Sequence, residues 1–242
     1  SFIRYLQTFP EGAFSLNANY YIGLIDYNQQ NYASAAPYLN KVLEYPNNKY
    51  SEEAMMMSAE IAYLNKDYAK SLEWYKLLKD RASTPERRQI AATGMLRSAA
   101  MSGNGEETIL AATAVLADAK VAPELESEAR HYRSKALVEA NQLAHAVADW
   151  EALAKDTRNV YGAEAKYRLA QYLFDSGKTK EAEQEVLNYL EVSTPHAYWL
   201  ARSFVLLSDI YAKLDRKLEA RQYLLSLKQN YQADDDIAGM IE

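Results

Sequence analysis

The strongest constraint on the fold of this chain is a small residue that returns at a nearly constant interval. Its occurrences are Ala35, Ser71, Thr108, Ala146, Ala182 and Ala220, which are separated by 36, 37, 38, 36 and 38 residues. Self-similarity at a period of this length is typical of repeat architectures, in which each repeat packs on its neighbours along the chain. We therefore predict a row of stacked repeats rather than one globule.

Each repeat has the pattern of two amphipathic helices joined by a tight turn. In the fifth repeat, apolar residues recur every three or four positions on both sides of Ser176–Gly177, at Tyr161, Ala165, Leu169, Leu173, Ala182, Val186 and Tyr189. This spacing places the side chains on one stripe of a helix, whereas a strand would alternate them between two faces. Further turns are predicted at 28–31, 65–67, 102–105, 141–142 and 214–216, and helix starts at Thr84–Pro85 and Thr194–Pro195. The chain is thus predicted to be all-α.

The pattern closely resembles the tetratricopeptide repeat, a helix–turn–helix unit with a small residue in each helix where the two backbones meet. The first repeat matches it at Ile22, Gly23, Tyr32, Ala35, Leu39, Val42 and Pro46, and the fifth at Leu169, Ala170, Leu173, Ala182, Val186 and Tyr189. The resemblance covers essentially the whole chain and implies a right-handed α-solenoid of about six repeats. In the fourth repeat Arg133 replaces a leucine that is usual in the family.

The domain organisation predicted from the repeats is one elongated domain over residues 1–242, because no linker of glycine and serine divides the chain. Residues 1–10 are predicted to be the tail of a preceding repeat, since Ile3, Leu6 and Pro10 match residues 36 positions later. Residues 231–242 are predicted to begin a capping helix or a further repeat. We accordingly expect the chain to be part of a longer protein.

Composition argues against several classes of function. The net charge of −6 disfavours a nucleic-acid surface, and the local basic patch at Arg216, Lys217 and Arg221 is interpreted as a solvated helix face. No apolar run is long enough to insert in a membrane. There is no cysteine, and the three histidines lack the spacing of helical metal ligands. No phosphate loop or nucleophile motif is present. We predict no catalytic residue, no metal site and no cofactor.

The candidate binding residues follow from the resemblance, since in this family the first helix of each repeat lines a concave surface. The residues carried over, called here the predicted binding face, are Tyr20, Tyr27, Met56, Glu60, Tyr63, Arg97, His131, Lys135, Tyr167 and Gln171, with Leu24 and Thr93 beside them. Tyrosine is abundant, at 20 residues against 5 phenylalanines, and its amphipathic ring suits recognition of a peptide or helix. The alternative interpretation is that Tyr20, Tyr21, Tyr63 and Tyr167 pack between neighbouring repeats.

The function favoured by these observations is a non-enzymatic scaffold that binds a protein or peptide partner. The first two repeats, with Tyr-Leu-x-x-Phe-Pro before a Tyr-Tyr-x-Gly helix, resemble the tetratricopeptide modules of bacterial cell-envelope proteins. That resemblance implies envelope assembly and favours the periplasm or cell envelope, with the cytoplasm as the alternative. A second hypothesis is a helical-repeat carbohydrate-binding protein or enzyme that uses the tyrosine-rich surface.

Overall fold

The computed structural model describes residues 1–241, and in that range the chain forms fourteen helices and no strand. The helices are α1 (Phe2–Thr8), α2 (Ser15–Asn28), α3 (Tyr32–Glu44), α4 (Ser51–Leu64), α5 (Tyr68–Arg81), α6 (Pro85–Ser102), α7 (Gly105–Leu116), α8 (Pro123–Glu139), α9 (Leu143–Leu153), α10 (Val160–Asp175), α11 (Thr179–Leu190), α12 (Ala197–Lys213), α13 (Lys217–Asn230) and α14 (Ile237–Ile241). The all-α prediction is confirmed, and α2 to α13 form the six helix pairs expected of an α-solenoid.

The turn inside each helix pair has the same backbone conformation. Its αL residue is Gln30, Lys66, Gly103, Asn141, Gly177 or Asp215, with φ between 58° and 78°, and always lies five residues before the recurring small residue. In five of the six turns the next N–H donates to the carbonyl five residues earlier, at 2.8–2.9 Å. This hydrogen bond defines a Schellman motif, which satisfies a carbonyl left free at the end of the first helix.

In each helix pair the recurring small residue is the fourth residue of the second helix, where it is buried with at most 6% of its surface exposed. Close approach of the paired helices explains the size limit. A Cβ on Gly23 would meet Leu39 Cδ2 at 2.8 Å, and the Ser71 hydroxyl donates to the Ala59 carbonyl at 2.8 Å. Larger side chains would separate backbones that pack about 8–10 Å apart.

One of the two predicted helix starts is confirmed and the other is wrong. Thr84 caps α6 by accepting from the N–H of Arg87, three residues on. Thr194 instead accepts from the N–H of His196, two residues on, and donates its hydroxyl to the Thr157 carbonyl at 2.8 Å. The chain therefore turns at Thr194 and α12 begins only at Ala197.

Helix contacts divide the chain into two compact units, Ser1–Lys120 and Val121–Glu242. The N-terminal unit contains α1 to α7 and the C-terminal unit contains α8 to α14, with each helix packed on the next one inside its unit. Each core is built from the apolar stripes of paired helices, with Leu39 and Val42 in one and Leu207 and Ile210 in the other. A single domain over 1–242 stays a prediction.

The chain ends contain short helices, as expected from their sequences. Helix α1 packs on α2 through Phe2, whose ring stacks on Tyr21 with centroids 5.6 Å apart. Helix α14 packs on α12 and α13 through buried Ile237. The assignment of these segments to a preceding and a following repeat stays a prediction.

Arg133, which departs from the family pattern, belongs to an ion network between α8 and α9. Its Nε and Nη2 donate to the two oxygens of Asp149 at 2.8 and 2.7 Å, and Arg130 Nη1 donates to the same carboxylate at 3.2 Å. Asp149 is only 1% exposed. Two cations and several hydrogen bonds therefore compensate a fully buried charge.

Candidate functional site

Tyrosines of the predicted binding face in the first repeat are bound to carboxylates of the second. Tyr20 donates to Glu53 Oε2 at 2.6 Å, and Tyr27 donates to Glu60 Oε2 at 2.5 Å. Burial, reinforced by these carboxylates, raises the pKa of both phenols well above the ordinary value. The Tyr20 ring also stacks on Tyr50, with centroids 3.8 Å apart, and is only 5% exposed. Tyr20 therefore packs between repeats, which is the alternative interpretation for it.

Tyr167 of the fifth repeat is buried in a similar way. It is 5% exposed, its hydroxyl donates to Gln171 Oε1 at 3.1 Å, and it accepts from Arg202 Nη2 at 3.0 Å. The guanidinium of Arg202 lies 5.1 Å from the centre of the ring. Tyr167 thus joins α10 to α12 and offers little surface to a partner.

Several other residues of the predicted binding face meet in an open groove of about 630 Å³ between α4, α5 and α6, called here the N-terminal groove. It is lined by Glu60, Tyr63, Leu64, Tyr75, Glu86, Gln89, Ile90, Thr93, Gly94 and Arg97. The ring of Tyr75 lies against Gly94, where an added Cβ would be 2.4 Å from a ring carbon. Burial raises the pKa of Tyr75 to about 12, so its hydroxyl stays neutral at physiological pH.

A second groove, of about 710 Å³, lies in the C-terminal unit between α8, α9 and α10 and is called here the C-terminal groove. It contains three residues of the predicted binding face, His131, Lys135 and Gln171. Its other lining residues include Val138, Glu139, Leu143, Trp150, Leu153, Tyr161, Glu164, Arg168, Tyr172 and Asp175. Val138 and Leu143 are 38% and 44% exposed, which places apolar surface at the opening.

His131 lies at the end of the C-terminal groove nearest the start of α10. Its ring stacks on Tyr161 with centroids 4.3 Å apart, and Nδ1 is 3.6 Å from Glu164 Oε2. Burial lowers its pKa, together with the positive charges of Lys135 and Arg168, while Glu164 opposes the shift. The site therefore favours the neutral form of His131, whose ring is stacked on Tyr161.

The charges on the C-terminal groove differ in how far they are compensated. Arg168 donates to Glu164 at 3.0 Å, and Asp175 accepts from Gln171 at 2.9 Å. Lys135 and Glu139 are both exposed, and within residues 1–241 neither has an ion-pair partner. A cation and an anion that form no ion pair within residues 1–241 thus stand one helical turn apart on α8.

Met56, like Tyr20, Tyr27 and Tyr167, is a member of the predicted binding face that lines neither groove. It is half-buried and packs against the core cluster of Met55, Leu78 and Ala91.

In the part of the chain that the structure describes, no three His, Asp or Glu side chains are grouped to hold a metal ion. Over the same residues, no helix has the length and apolarity needed to cross a bilayer.

The two grooves occupy corresponding places in the second and fourth repeats. Tyr75 and Trp150, which form their floors, each lie four residues after the recurring small residue. Elsewhere this position is Leu39, Ala112, Val186 or Leu224. An aromatic at this position, in these two repeats alone, is the signal that would have located the grooves, and sequence analysis missed it by considering only first helices.

A comparison with the sequence profiles of protein families agrees with the helix pairs of the structure. The sequence profile of the tetratricopeptide repeat matches residues 18–85 and 133–198, more than half of the chain. These repeats generally mediate protein–protein interaction, and proteins of the family are typically non-enzymatic scaffolds. A solved tetratricopeptide repeat protein from Parabacteroides merdae is similar at 14% identity and a TM-score of 0.49, over 99% of this chain and 88% of that one. No curated protein matches. The profile match shows that the chain belongs to the tetratricopeptide repeat family.

Proposed function

We propose that this chain is a non-enzymatic scaffold of bacterial envelope assembly that binds an extended peptide or a partner helix in its two grooves. The proposal rests on one observation: in each groove, the first helices of two successive repeats place side chains around an aromatic residue of the second helix between them, Tyr75 or Trp150. Glu60, Tyr63 and Arg97 meet in this way in the N-terminal groove, and Lys135 and Gln171 in the C-terminal groove.

The chemistry of both grooves suits a polypeptide ligand. Each has an aromatic floor, exposed apolar side chains at the opening and charged groups on the rim, which is the composition of many protein-binding surfaces. Leu64 and Ile90 supply the exposed apolar surface of the N-terminal groove, as Val138 and Leu143 do in the C-terminal groove. The volumes fall within the range of about 300–1,000 Å³ that is usual for ligand pockets. Each groove therefore has room for a few side chains of a bound segment.

The proposal is tested by selecting peptides from a displayed random library on the immobilised protein. The combined variant Tyr63→Ala, Arg97→Ala and Lys135→Ala removes one residue from the first helix of three successive repeats. We expect it to lose the selected peptides while its far-ultraviolet circular dichroism stays helical.

A matched control carries the same three types of substitution on second helices, as Tyr38→Ala, Lys180→Ala and Arg221→Ala. It is expected to keep the selected peptides. Full retention by the groove variant, or equal loss by the control, would contradict binding in the grooves.

The envelope setting is supported only by the resemblance of the first two repeats to modules of envelope proteins. It is tested by fractionating cells that produce the full-length protein, and recovery in the cytoplasm alone would contradict it.

The carbohydrate-binding or enzymatic alternative depends on exposed tyrosine rings. Tyr20 is stacked and buried and Tyr27 is bound to Glu60, so no observation favours it. A glycan-array signal lost in Tyr20→Ala and Tyr27→Ala would restore it.

A further inference from the structure

The C-terminal groove has a confined apolar site next to an exposed helix edge. Trp150 and Leu153 are each only 7% exposed and form its floor, while Tyr172 lies beside Trp150 with ring centroids 6.5 Å apart. Val138 and Leu143 continue this surface to the opening. One large apolar side chain entering here would lose most of its contact with water, which is the main source of affinity in such pockets.

Two opposite charges on α8 flank this apolar site. Lys135 and Glu139 are four residues apart, so their Cα atoms are separated by about 6 Å along the helix. Within residues 1–241 they form no ion pair with each other or with another residue. The neighbouring Arg168 and Glu164 compensate each other. A ligand charge would therefore find its counter-charge at Lys135 or Glu139.

An extended segment matches this spacing with three consecutive residues. In an extended chain residues i and i+2 lie on one side, about 6.6 Å apart, while the side chain of residue i+1 points to the opposite side. The first and third residues can thus lie over Lys135 and Glu139 while the middle one points away from α8 toward the apolar site. A helix also spans about 6 Å between residues i and i+4, but the residue midway between them lies on its far side, across a diameter of about 10–12 Å.

We propose that the C-terminal groove selects extended peptides in which a large apolar residue stands between an acidic residue placed at Lys135 and a basic residue placed at Glu139. This inference deepens the proposed function and rests on it. A segment with this pair of charges can meet Lys135 and Glu139 in either sequence order by reversing its direction, whereas a segment with two like charges meets a repulsion at one of the two positions in either direction.

The N-terminal groove supplies an internal comparison. The position of Lys135, eleven residues before the recurring small residue, is occupied there by Glu60, and the position of Glu139 by Leu64. Glu60 already accepts a hydrogen bond from Tyr27. The N-terminal groove therefore lacks this pair of opposite charges, and we expect it to show no preference for a peptide that carries opposite charges over one that carries like charges.

The experiment measures fluorescence anisotropy of labelled heptapeptides with blocked ends at low salt, where exposed charges are screened least. The probes have glutamate–tryptophan–lysine, glutamate–tryptophan–glutamate or glutamate–alanine–lysine at their centre. We expect the first to bind about fivefold tighter than the second, because one weak ion pair is gained and one repulsion is avoided. The alanine probe should bind at least tenfold more weakly than the first.

The decisive variant is Glu139→Lys, which leaves two cations beside the apolar site and should reverse the preference between the first two probes. Its matched control, Glu151→Lys, makes the same substitution at a residue that lines a different cavity, between α9, α10 and α11. The control should keep the original preference. Circular dichroism checks that both variants remain helical.

Equal binding of the first two probes to the unmodified protein would overturn the inference, as would an unchanged preference in the Glu139→Lys variant. Binding of N-acetyl-tryptophanamide as tight as that of the first probe would also overturn it, because a small aromatic ligand would then suffice. If no probe binds but library selection still depends on the grooves, this inference fails while the proposed function stands.

Discussion

The N-terminal and C-terminal grooves share one backbone plan and differ in the charges on their rims. In each, an aromatic residue of a second helix, Tyr75 or Trp150, forms the floor between two first helices. On the rim, Glu60 of one groove corresponds to Lys135 of the other. The comparison indicates that repeat position determines where a groove forms, whereas a few variable side chains determine what it can bind.

The same two repeats differ in how their helix pairs are held together. Thirteen residues before the recurring small residue, the second repeat has Ser58 where the fourth has Arg133. Three residues after the small residue, the second repeat has Trp74 where the fourth has Asp149. The Ser58 hydroxyl is buried without a hydrogen-bond partner, whereas Asp149 accepts from Arg133 and Arg130. One repeat thus depends on apolar packing and the other on a buried ion network.

The largest expected effect is on the ion network. Asp149→Ala removes the buried carboxylate that pairs with Arg133 and Arg130, while Arg130 keeps its ion pair with Glu126, and we expect the free energy of unfolding to fall by about 3 kcal/mol. Ser58→Ala removes an unsatisfied hydroxyl and should change it by less than about 0.5 kcal/mol or raise it slightly. Urea unfolding measures both, with the exposed Glu151→Ala as control on α9. Equal effects of Asp149→Ala and Glu151→Ala would remove the distinction between the repeats.

A smaller effect on stability is expected at a position where one groove has a glycine and the other has a large side chain. Gly94 of the N-terminal groove corresponds to Arg168 of the C-terminal groove, both fourteen residues before the small residue. Because a Cβ on Gly94 would lie 2.4 Å from the Tyr75 ring, Gly94→Ala should displace that ring and cost about 2 kcal/mol. The control Gly239→Ala has no atom within 4 Å of the new Cβ. Equal melting midpoints for the two variants would show that Tyr75 does not need the glycine.

The histidine of the C-terminal groove predicts a pH dependence that the N-terminal groove lacks. The pKa of His131 is lowered from 6.5 by burial, with Lys135 and Arg168 lowering it further and Glu164 and Glu128 raising it. Below about pH 6.5 His131 therefore binds a proton more readily in the unfolded chain than in the folded chain, so the free energy of unfolding falls as the pH decreases. Denaturant unfolding between about pH 7.5 and 5 should show a shallower fall in His131→Gln than in the unmodified protein. Parallel curves would contradict the buried environment of His131.

The smallest effect concerns the turns of the second and third repeats. Lys66 adopts φ of 62° where Gly103 adopts φ of 73°, and a side chain at positive φ costs about 1–2 kcal/mol. Glycine also loses more backbone entropy on folding, so Lys66→Gly should stabilise by about 0.5 kcal/mol. Gly103→Ala should destabilise by about 1 kcal/mol. Thermal unfolding measures both, and stabilisation by Gly103→Ala would contradict the shared turn conformation.

The features best predicted from the sequence are those that depend on residues close together in the chain. The six turns and the burial of Ala35, Ser71 and their equivalents follow from short patterns that repeat along the chain, so they could be predicted. The partners of Tyr20 and Tyr27 could not, because Glu53 and Glu60 lie 33 residues away and are brought near only by helix packing.

The candidate site was predicted in part for the same reason. Family positions identified the residues on first helices, including Arg97 and Lys135. They could not separate exposed residues from buried ones such as Tyr167, because burial depends on neighbours in the next repeat. The pairing of Arg133 with Asp149 likewise needs two helices in register, and a single unusual residue does not reveal its partner.

The central claim is that the inner grooves of these repeats bind polypeptide, and backbone amide chemical shifts measured during peptide titration test it most directly. With the glutamate–tryptophan–lysine peptide, we predict shifts concentrated in the residues of α8, α9 and α10 that line the C-terminal groove, with the indole proton of Trp150 among the largest. Shifts spread over the outer surfaces of α11 and α13, with those three helices unaffected, would contradict the account.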